Sequence, residues 1–319
     1  MIYFQLPFQS TIYTISPSPG NDQLISHSFD EKTNLTFKGA LTSVSPEEIE
    51  EGNDLLMVDK SNYENPTEEE YVKTLESLIH DIKQKNLAKV VYSRRKIVPI
   101  KEELSLGKTF LKLCEAYPNA FKYFFIKNGT AWAGAFSEVL GEYHTETKTF
   151  KTMSLAGTLP KEEAWTDKEI EEQKPVSLYI QNILNKYASE VKVSETYDHI
   201  SGNIKHLRTD FEIVVEEDKV PQLIAELHPT PAVCGFPKGV CTELISKYEA
   251  YPREFYAGYN EVRVNSHIYY FVNLRCARLF KDRIHAFVGG GITAKSHPEK
   301  EWQETELKAQ AILNNLMFI

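Results

Sequence analysis

The stretch that decides the fold is AFVGGGITAKSHPEKEWQETELK, residues 286–308. Its apolar beginning leads into three glycines, Gly289, Gly290 and Gly291. Ser296 and, three residues later, Glu299 have the spacing of a capping box. The pattern therefore predicts a last strand that runs into the glycines, followed by a helix that begins at Ser296.

Two carboxylates and a lysine lie close together on this predicted helix. At 100° per residue, Glu301, Glu304 and Lys308 fall within about 60° of one another. Paired carboxylate oxygens beside an apolar wall suit a hard divalent cation such as Mg²⁺, although a solvated charged edge gives the same spacing. The adjoining apolar stripe consists of Trp302, Ala309, Ile312, Leu313 and Leu316.

Composition narrows the class of protein. The chain has 319 residues, a net charge of −9 and a pI near 5.6, so neither nucleic acid nor an anionic membrane surface is expected as a partner. No apolar run approaches the length of a membrane span, and the first residues do not resemble a signal peptide. We expect a cytoplasmic protein whose cysteines, which lack zinc-type spacing, are free thiols. They are Cys114, Cys234, Cys241 and Cys276.

The first third of the chain predicts strands followed by a helix, a strand and a second helix. Residues 1–65 contain two short strand patterns, a hairpin and no catalytic motif, and we interpret them as a shortened N-terminal flank of the core. Thr67 and Glu70 form a capping box that predicts a helix ending near Asn86. Lys89 then begins a predicted strand over 88–98, and residues 104–116 predict the next helix.

A β-meander is predicted over 120–153, where Glu138 interrupts the apolar run AWAGAFSEVL. A carboxyl group among apolar residues holds its proton more readily, as a general acid requires. The alternative is that Glu138 points outward from a half-exposed strand.

The middle of the chain predicts a helix and then further strands. Thr166 and Glu169 cap the helix, Glu172 lies on its apolar face, and Pro175 should kink it or split off its first turn. His206 follows in the region of strands and loop over 190–215. An isolated histidine there is more often a hydrogen-bonded structural residue than a ligand.

Residues 221–259 predict a loop and a helix over 240–248, and a hairpin follows. Arg275 lies within the apolar second strand of that hairpin, HIYYFVNLRCARLF. A buried arginine needs an anionic partner, which a protein carboxylate or a ligand carboxylate can supply.

Five segments together resemble the chorismate-binding enzymes, a family that includes isochorismate, salicylate, anthranilate and aminodeoxychorismate synthases. They are LHPTPAVCGFP, REFYAGY, LRCARL, FVGGGI and SHPEKEWQETELK. The resemblance covers roughly 67–319, which we take as the catalytic domain. It implies an α+β fold in which two packed, mainly antiparallel sheets form the core and helices lie outside.

The resemblance also implies site residues. Glu304, its companion Glu301 and, on the earlier helix, Glu172 match residues that bind Mg²⁺, although Lys174 and Pro175 depart from the usual run after that last glutamate. Arg275 and Tyr256 match residues that hold the enolpyruvyl carboxylate of chorismate. The same side of the substrate is lined by Lys308 and the backbone of Gly289, Gly290 and Gly291. The positions that shape the pocket are Gly157, Thr158, His206 and His228.

Lys89 and Glu138 select the branch of the family. Members that attack chorismate with water carry a lysine at the head of the KVV-type strand, and ammonia-using members generally carry glutamine. LAKVVYSRR resembles the water-using pattern, so Lys89 is the expected base. Glu138 in GAFSEVL matches the general acid, although Phe136 and Ser137 replace the usual Ser-Pro. The implied activity is Mg²⁺-dependent conversion of chorismate to isochorismate, which feeds menaquinone or siderophore biosynthesis.

Three alternatives remain open at this point. A salicylate synthase makes isochorismate and then eliminates pyruvate in the same pocket. An ammonia-using synthase chain works with a glutaminase, and Lys89 argues against it. A non-catalytic chorismate-binding protein is the third, and the retained set of site residues argues against it. We expect a monomer without an obligatory glutaminase subunit.

Overall fold

The computed structural model describes residues 1–201 and 204–319, with the side chains of Thr158, Lys168, Glu172, Ser201 and Ile204 left undescribed. The chain forms two compact units. Unit 1 comprises residues 1–138, 233–261 and 271–319, and unit 2 comprises 139–232 and 262–270. The predicted division into a flank, 1–65, and a catalytic domain, 67–319, stays a prediction.

Helices and strands alternate along the described chain. The helices are α1 (Glu68–Gln84), α2 (Leu106–Ala116), α3 (Asp167–Leu184), α4 (Val220–Leu227), α5 (Lys238–Tyr248) and α6 (Pro298–Leu313). The strands are β1 (Ile2–Gln5), β2 (Ile12–Ser16), β3 (Asp22–His27), β4 (Asn34–Val44), β5 (Lys89–Pro99), β6 (Leu104–Ser105), β7 (Phe121–Lys127), β8 (Thr130–Phe136), β9 (Val139–His144), β10 (Thr149–Pro160), β11 (Lys192–Val193), β12 (Tyr197–Ser201), β13 (Ile204–Val214), β14 (Gly235–Phe236), β15 (Tyr259–Val264), β16 (His267–Val272), β17 (Cys276–Leu279), β18 (Arg283–Ile292) and β19 (Met317–Phe318).

Unit 1 contains an antiparallel sheet with the strand order β14–β5–β18–β17–β8–β7–β1–β2–β4. Its longest pairing joins β5 to β18 over ten residues, from Pro99 opposite Arg283 to Val90 opposite Ile292. β17 pairs with β18 only as far as Ala286 in the described chain. The glycine end of β18 therefore keeps one edge that β17 does not cover.

Helices pack on this sheet through apolar stripes. α1 begins at the predicted capping box of Thr67 and Glu70 and buries five side chains against the sheet and α5. α2 packs on the sheet around Phe110 and Leu113. At ring contact between α1 and α6, Tyr71 meets Trp302 edge to face at 5.2 Å. The prediction of an α+β fold with antiparallel strands is confirmed.

Unit 2 contains a smaller antiparallel sheet in which β10 lies between β9 and β13. Both β11 and β12 pair with β13. α3 packs on β10 and buries Gln173, whose amide donates to Ser154 Oγ at 2.8 Å. α3 is continuous through Pro175, so the expected split of its first turn does not occur.

Three local predictions were wrong. The last helix begins at Pro298 with His297 as its N-cap, since Ser296 uses its hydroxyl to bond Glu301 Oε1 at 2.7 Å instead of capping. Helix α4 forms where a loop was expected. The strand expected across Arg275 is broken there, because that residue has a φ of +44°.

The four cysteines are free thiols, as predicted, and Cys234, Cys241 and Cys276 are buried. Burial raises the pKa of the Cys241 thiol to about 12, which keeps it protonated and unreactive. A search of the described helices found none long and apolar enough to cross a membrane.

A buried histidine predicts acid sensitivity of unit 1. His285 is fully buried and donates from Nε2 to Asp59 Oδ2 at 2.9 Å. Burial lowers the pKa of His285 from 6.5 to about 4, so between these values the unfolded chain binds the proton and the folded chain does not. We expect the free energy of unfolding to fall by on the order of 2 kcal/mol as pH drops from 7 to 4.5.

Urea unfolding at the two pH values measures this effect. His285→Gln should flatten that part of the pH dependence, and His80→Gln, an exposed position on α1, is the control. An equal slope in wild type and His285→Gln would contradict the prediction.

Candidate active site

The candidate site in unit 1 is built around the glycines at the end of β18. A Cβ added to Gly289 would lie 2.8 Å from the Tyr256 hydroxyl, and one added to Gly291 would lie 2.7 Å from Lys89 Cδ. The glycines thus allow both side chains to approach the strand. Tyr256 and Lys89 lie on the same face of β18, since alternate residues of a strand point the same way.

Glu301 approaches the opposite face of the same strand. A Cβ on Gly290 would lie 3.1 Å from Glu301 Oε2. Lys308 Nζ donates to the Gly289 carbonyl at 2.9 Å. Because the C=O and N–H of one strand residue point to the same edge, the Gly289 N–H points away from β5 together with its carbonyl. A ligand at this edge would therefore meet backbone groups between Lys89 and Tyr256 on one face and Glu301 on the other.

The two carboxylates of α6 act on the same region. Burial raises the pKa of Glu301, and the neighbouring Glu304 raises it further, while the Ser296 hydroxyl opposes both. Glu304 is about half exposed and lies 2.7 Å from Lys308 Nζ. Two carboxylates that repel each other are the kind of oxygen donors that a hard cation stabilises, so these residues fit Mg²⁺.

The third predicted metal ligand, Glu172, is in α3, and its side chain lies outside the described residues. Among the side chains that the structure describes, no group of three His, Cys, Asp or Glu residues could hold a metal ion. The metal prediction therefore depends on Glu301 and Glu304 as far as unit 1 is concerned, and it stays a prediction.

Glu138 lies in the break between β8 and β9, as its interruption of the apolar run predicted. Its carbonyl accepts from the Val272 N–H at 3.0 Å, and its side chain is half-buried. Burial raises the pKa of Tyr256, and the negative charge of Glu138 contributes in the same direction. The electrostatic effect brings Glu138 into the neighbourhood of Tyr256, whose ring stacks on Phe287 at 5.7 Å.

Arg275 is exposed, so the expectation of a buried arginine inside a strand was wrong. Its left-handed backbone ends the strand pairing, and its carbonyl accepts from the Ala135 N–H at 3.2 Å. The guanidinium carbon lies 6.0 Å from the centre of the Tyr117 ring. This position leaves the guanidinium accessible to a ligand, and the role implied by the family resemblance stays a prediction.

Within unit 2, two predicted pocket residues contact each other. Gly157 has a φ of +68°, and its carbonyl lies 3.0 Å from His206 Nδ1. His228 is buried directly after α4, where its N–H donates to the Ile224 carbonyl at 2.8 Å. The side chain of Thr158 lies outside the described residues.

Sequence reasoning missed Arg94, which fixes α6 to the sheet. Arg94 is 7% exposed, and its Nε donates to Thr305 Oγ1 at 3.0 Å. Its guanidinium carbon lies 4.0 Å from the centre of a Trp302 ring, and it forms an ion pair with Glu306. The signal was present, since a second polar pair, Thr305 and Glu306, follows the Glu301 and Glu304 positions on the same helix.

Residues 22–317 match the family described as "Chorismate binding enzyme". The chain belongs to that family. The resemblance inferred from the five sequence segments is therefore confirmed.

Among curated relatives, the chain is 28% identical over 244 residues to isochorismate synthase EntC of Escherichia coli K12. That match covers 71% of this chain and 61% of EntC, so the chain spans about three-fifths of its relative. Two crystal structures share its fold. An isochorismate synthase, DhbC, of Bacillus anthracis has a TM-score of 0.79 at 21% identity, covering 98% of this chain and 95% of that one. MenF of Escherichia coli has a TM-score of 0.81 at 18% identity, covering 98% and 88%.

The glycine strand predicts a difference between two neighbouring substitutions. In Gly289→Ala the new Cβ meets the Tyr92 carbonyl oxygen at 2.9 Å as well as the Tyr256 hydroxyl, whereas in Gly290→Ala it meets only the tip of Glu301. We expect Gly289→Ala to lower the free energy of unfolding by about 1–3 kcal/mol and Gly290→Ala to lower it by less than half of that. Urea unfolding measures both, and equal losses would contradict this account of the site.

Proposed function

We propose that the protein is an isochorismate synthase, an isomerase that converts chorismate to isochorismate. The observation that carries the proposal is the position of Lys89 against Gly291, on the same face of β18 as Tyr256. A lysine at the head of this strand is the feature that, by family resemblance, distinguishes attack by water from attack by ammonia. The name of the curated relative EntC supports the same branch.

Substrate binding requires local positive charge in an acidic chain. Chorismate carries two carboxylates, and the chain has a net charge of −9. Lys308 and the Gly289 N–H at the uncovered edge of β18 supply donors for one carboxylate. The exposed Arg275 supplies a planar guanidinium for the enolpyruvyl carboxylate.

The proposed reaction moves one hydroxyl equivalent around the ring. Lys89, in its neutral form, takes a proton from water, and the water oxygen bonds to C2 of the ring. The ring double bonds shift, and the C4 hydroxyl leaves as water after Glu138 protonates it. One water enters and one leaves, so substrate and product are isomers.

We propose Glu301 and Glu304 as ligands of Mg²⁺, with Glu172 as the third carboxylate implied by the family resemblance. A bound Mg²⁺ would neutralise the ring carboxylate and stabilise charge that develops on it. Glu301 is suited to this role because burial and Glu304 both disfavour its charged form in the absence of a cation. Ser296 holds one oxygen of Glu301 at 2.7 Å and so orients the carboxylate.

We further propose that the enzyme acts in the cytoplasm as a monomer that needs no glutaminase subunit. Its product would enter menaquinone or siderophore biosynthesis, and the name of the structural neighbour MenF includes the first of these. Incubation with chorismate and Mg²⁺, followed by chromatography of the products, tests the function. Isochorismate alone supports it, whereas salicylate with pyruvate, or an aminated product from ammonia, would replace it.

Lys89→Gln tests the assigned base. Glutamine keeps hydrogen bonding and approximate length but cannot take a proton from water, so we expect a loss of roughly a hundredfold or more in the rate of isochorismate formation. Lys85→Gln, on an exposed residue at the end of α1, is the matched control. An unchanged rate in Lys89→Gln would remove the main argument for the water-using branch.

Removal of divalent metal should abolish turnover, because Glu301 and Glu304 would then repel both each other and the anionic substrate. We expect Glu304→Gln to lose activity by at least about a hundredfold, without loss of thermal stability, because the side chain is half exposed. Glu299→Gln, an exposed acid on the same helix, serves as the control. Turnover that survives exhaustive chelation would show that no metal is needed.

A further inference from the structure

A second cavity lies in unit 1 at the edge of β5. Its volume is about 350 Å³, at the lower end of the range for small-ligand sites. Lys89, Tyr256 and Lys308 are not among the described residues that line it. Its walls are largely aromatic and include Tyr71, Tyr92, Arg95, Tyr248, Tyr251 and Phe287.

Arg95 gives this cavity a cation whose hydrogen bonding is incomplete. The residue is 3% exposed, and its Nη2 contacts the Pro252 carbonyl at 2.6 Å and Glu254 Oε1 at 2.8 Å. Nε and Nη1 have no partner among the residues that the structure describes. The guanidinium carbon lies 4.2 Å from the centre of the Tyr63 ring and 4.9 Å from that of Phe287. The guanidinium is thus held in place by rings while two of its donors are left over.

Tyr71 presents a second buried donor to the same cavity. It is 1% exposed, and its hydroxyl has no hydrogen-bond partner within the described structure. Its ring is fixed between Trp302 at 5.2 Å and Tyr92 at 5.5 Å. A buried donor without an acceptor costs about 1–3 kcal/mol. Two such groups on one cavity indicate that a ligand supplies the acceptors.

The charges around Arg95 favour an anion. Glu254 pairs with Arg95 and also with Arg278 Nη1 at 2.9 Å, so one carboxylate serves two guanidinium groups. Both arginines also act to lower the pKa of nearby His285, which is consistent with an excess of positive charge there. The acidic lining residues Glu64 and Glu70 are exposed, and Glu70 is engaged by Thr67 at the start of α1.

We infer that this cavity binds a small planar aromatic carboxylate at a site separate from the proposed active site. The carboxylate accepts from Arg95 Nε and Nη1, and the ring packs among the tyrosines. A polar substituent on the ring accepts from the Tyr71 hydroxyl. The inference does not depend on the proposed function, because it concerns binding and not turnover.

Calorimetric titration with 4-hydroxybenzoate tests the inference, with 4-hydroxybenzamide as the uncharged analogue. We expect saturable binding of the acid at one site and binding of the amide that is at least about tenfold weaker. Arg95→Gln should weaken binding of the acid by about tenfold or more, and Tyr71→Phe by a smaller factor of about three. Thermal unfolding of each variant checks that it is folded.

A cavity-filling variant covers the case in which Arg95→Gln fails to fold. Thr74 is a half-buried cavity residue on α1, so Thr74→Trp should abolish binding while leaving Arg95 untouched. Glu76→Trp places the same side chain on an exposed position of α1 and should bind like wild type. Equal binding of acid and amide, full binding by Thr74→Trp, or no saturable binding at millimolar concentration would each overturn the inference. The last result would mean that solvent alone fills the cavity.

Discussion

The pairing of β5 with β18 is the interaction on which the candidate site depends. Ten residue pairs align the two strands, and the register places Gly291 opposite Val91, two residues beyond Lys89. Backbone hydrogen bonds of such a ladder are cooperative, and a shift by one residue would turn every side chain to the other face. Lys89 therefore reaches Gly291 because of the register and not because of any contact of its own.

Arg94 extends this constraint from the sheet to α6. It lies on β5 and binds Thr305 and Glu306, which follow Glu304 directly on the helix. Lys96, two residues along the same strand, also pairs with Glu306. A buried guanidinium with several partners fixes a helix in rotation and translation more strictly than apolar contacts do. The carboxylates at Glu301 and Glu304 are consequently positioned by residues one turn further along α6.

How well the sequence predicted the structure depended on the range of the interactions involved. The capping box at Thr67 and the interruption at Glu138 are local patterns, and the structure shows both where they were expected. Arg275 was misplaced because its backbone conformation is set by a neighbouring strand through the Ala135 N–H, which no pattern in its own segment reveals. The same holds for Ser296, whose hydroxyl bonds Glu301 and so does not cap the helix. The site residues were found through family resemblance, because their convergence depends on strand register.

The buried arginines of unit 1 show how paired and ligand-facing charges can be distinguished in an acidic chain. Arg253 is 4% exposed and is fully engaged, since it forks onto Glu249 and donates to the carbonyls of Val233 and Val91. Its role is structural, because a buried charge with all donors satisfied needs no further partner. Arg95 is buried to the same degree but shares its only carboxylate with Arg278 and keeps two donors without acceptors in the described structure. Since desolvation costs the two residues similar amounts of free energy, the incomplete pairing of Arg95 requires a compensating interaction that the fold itself does not supply.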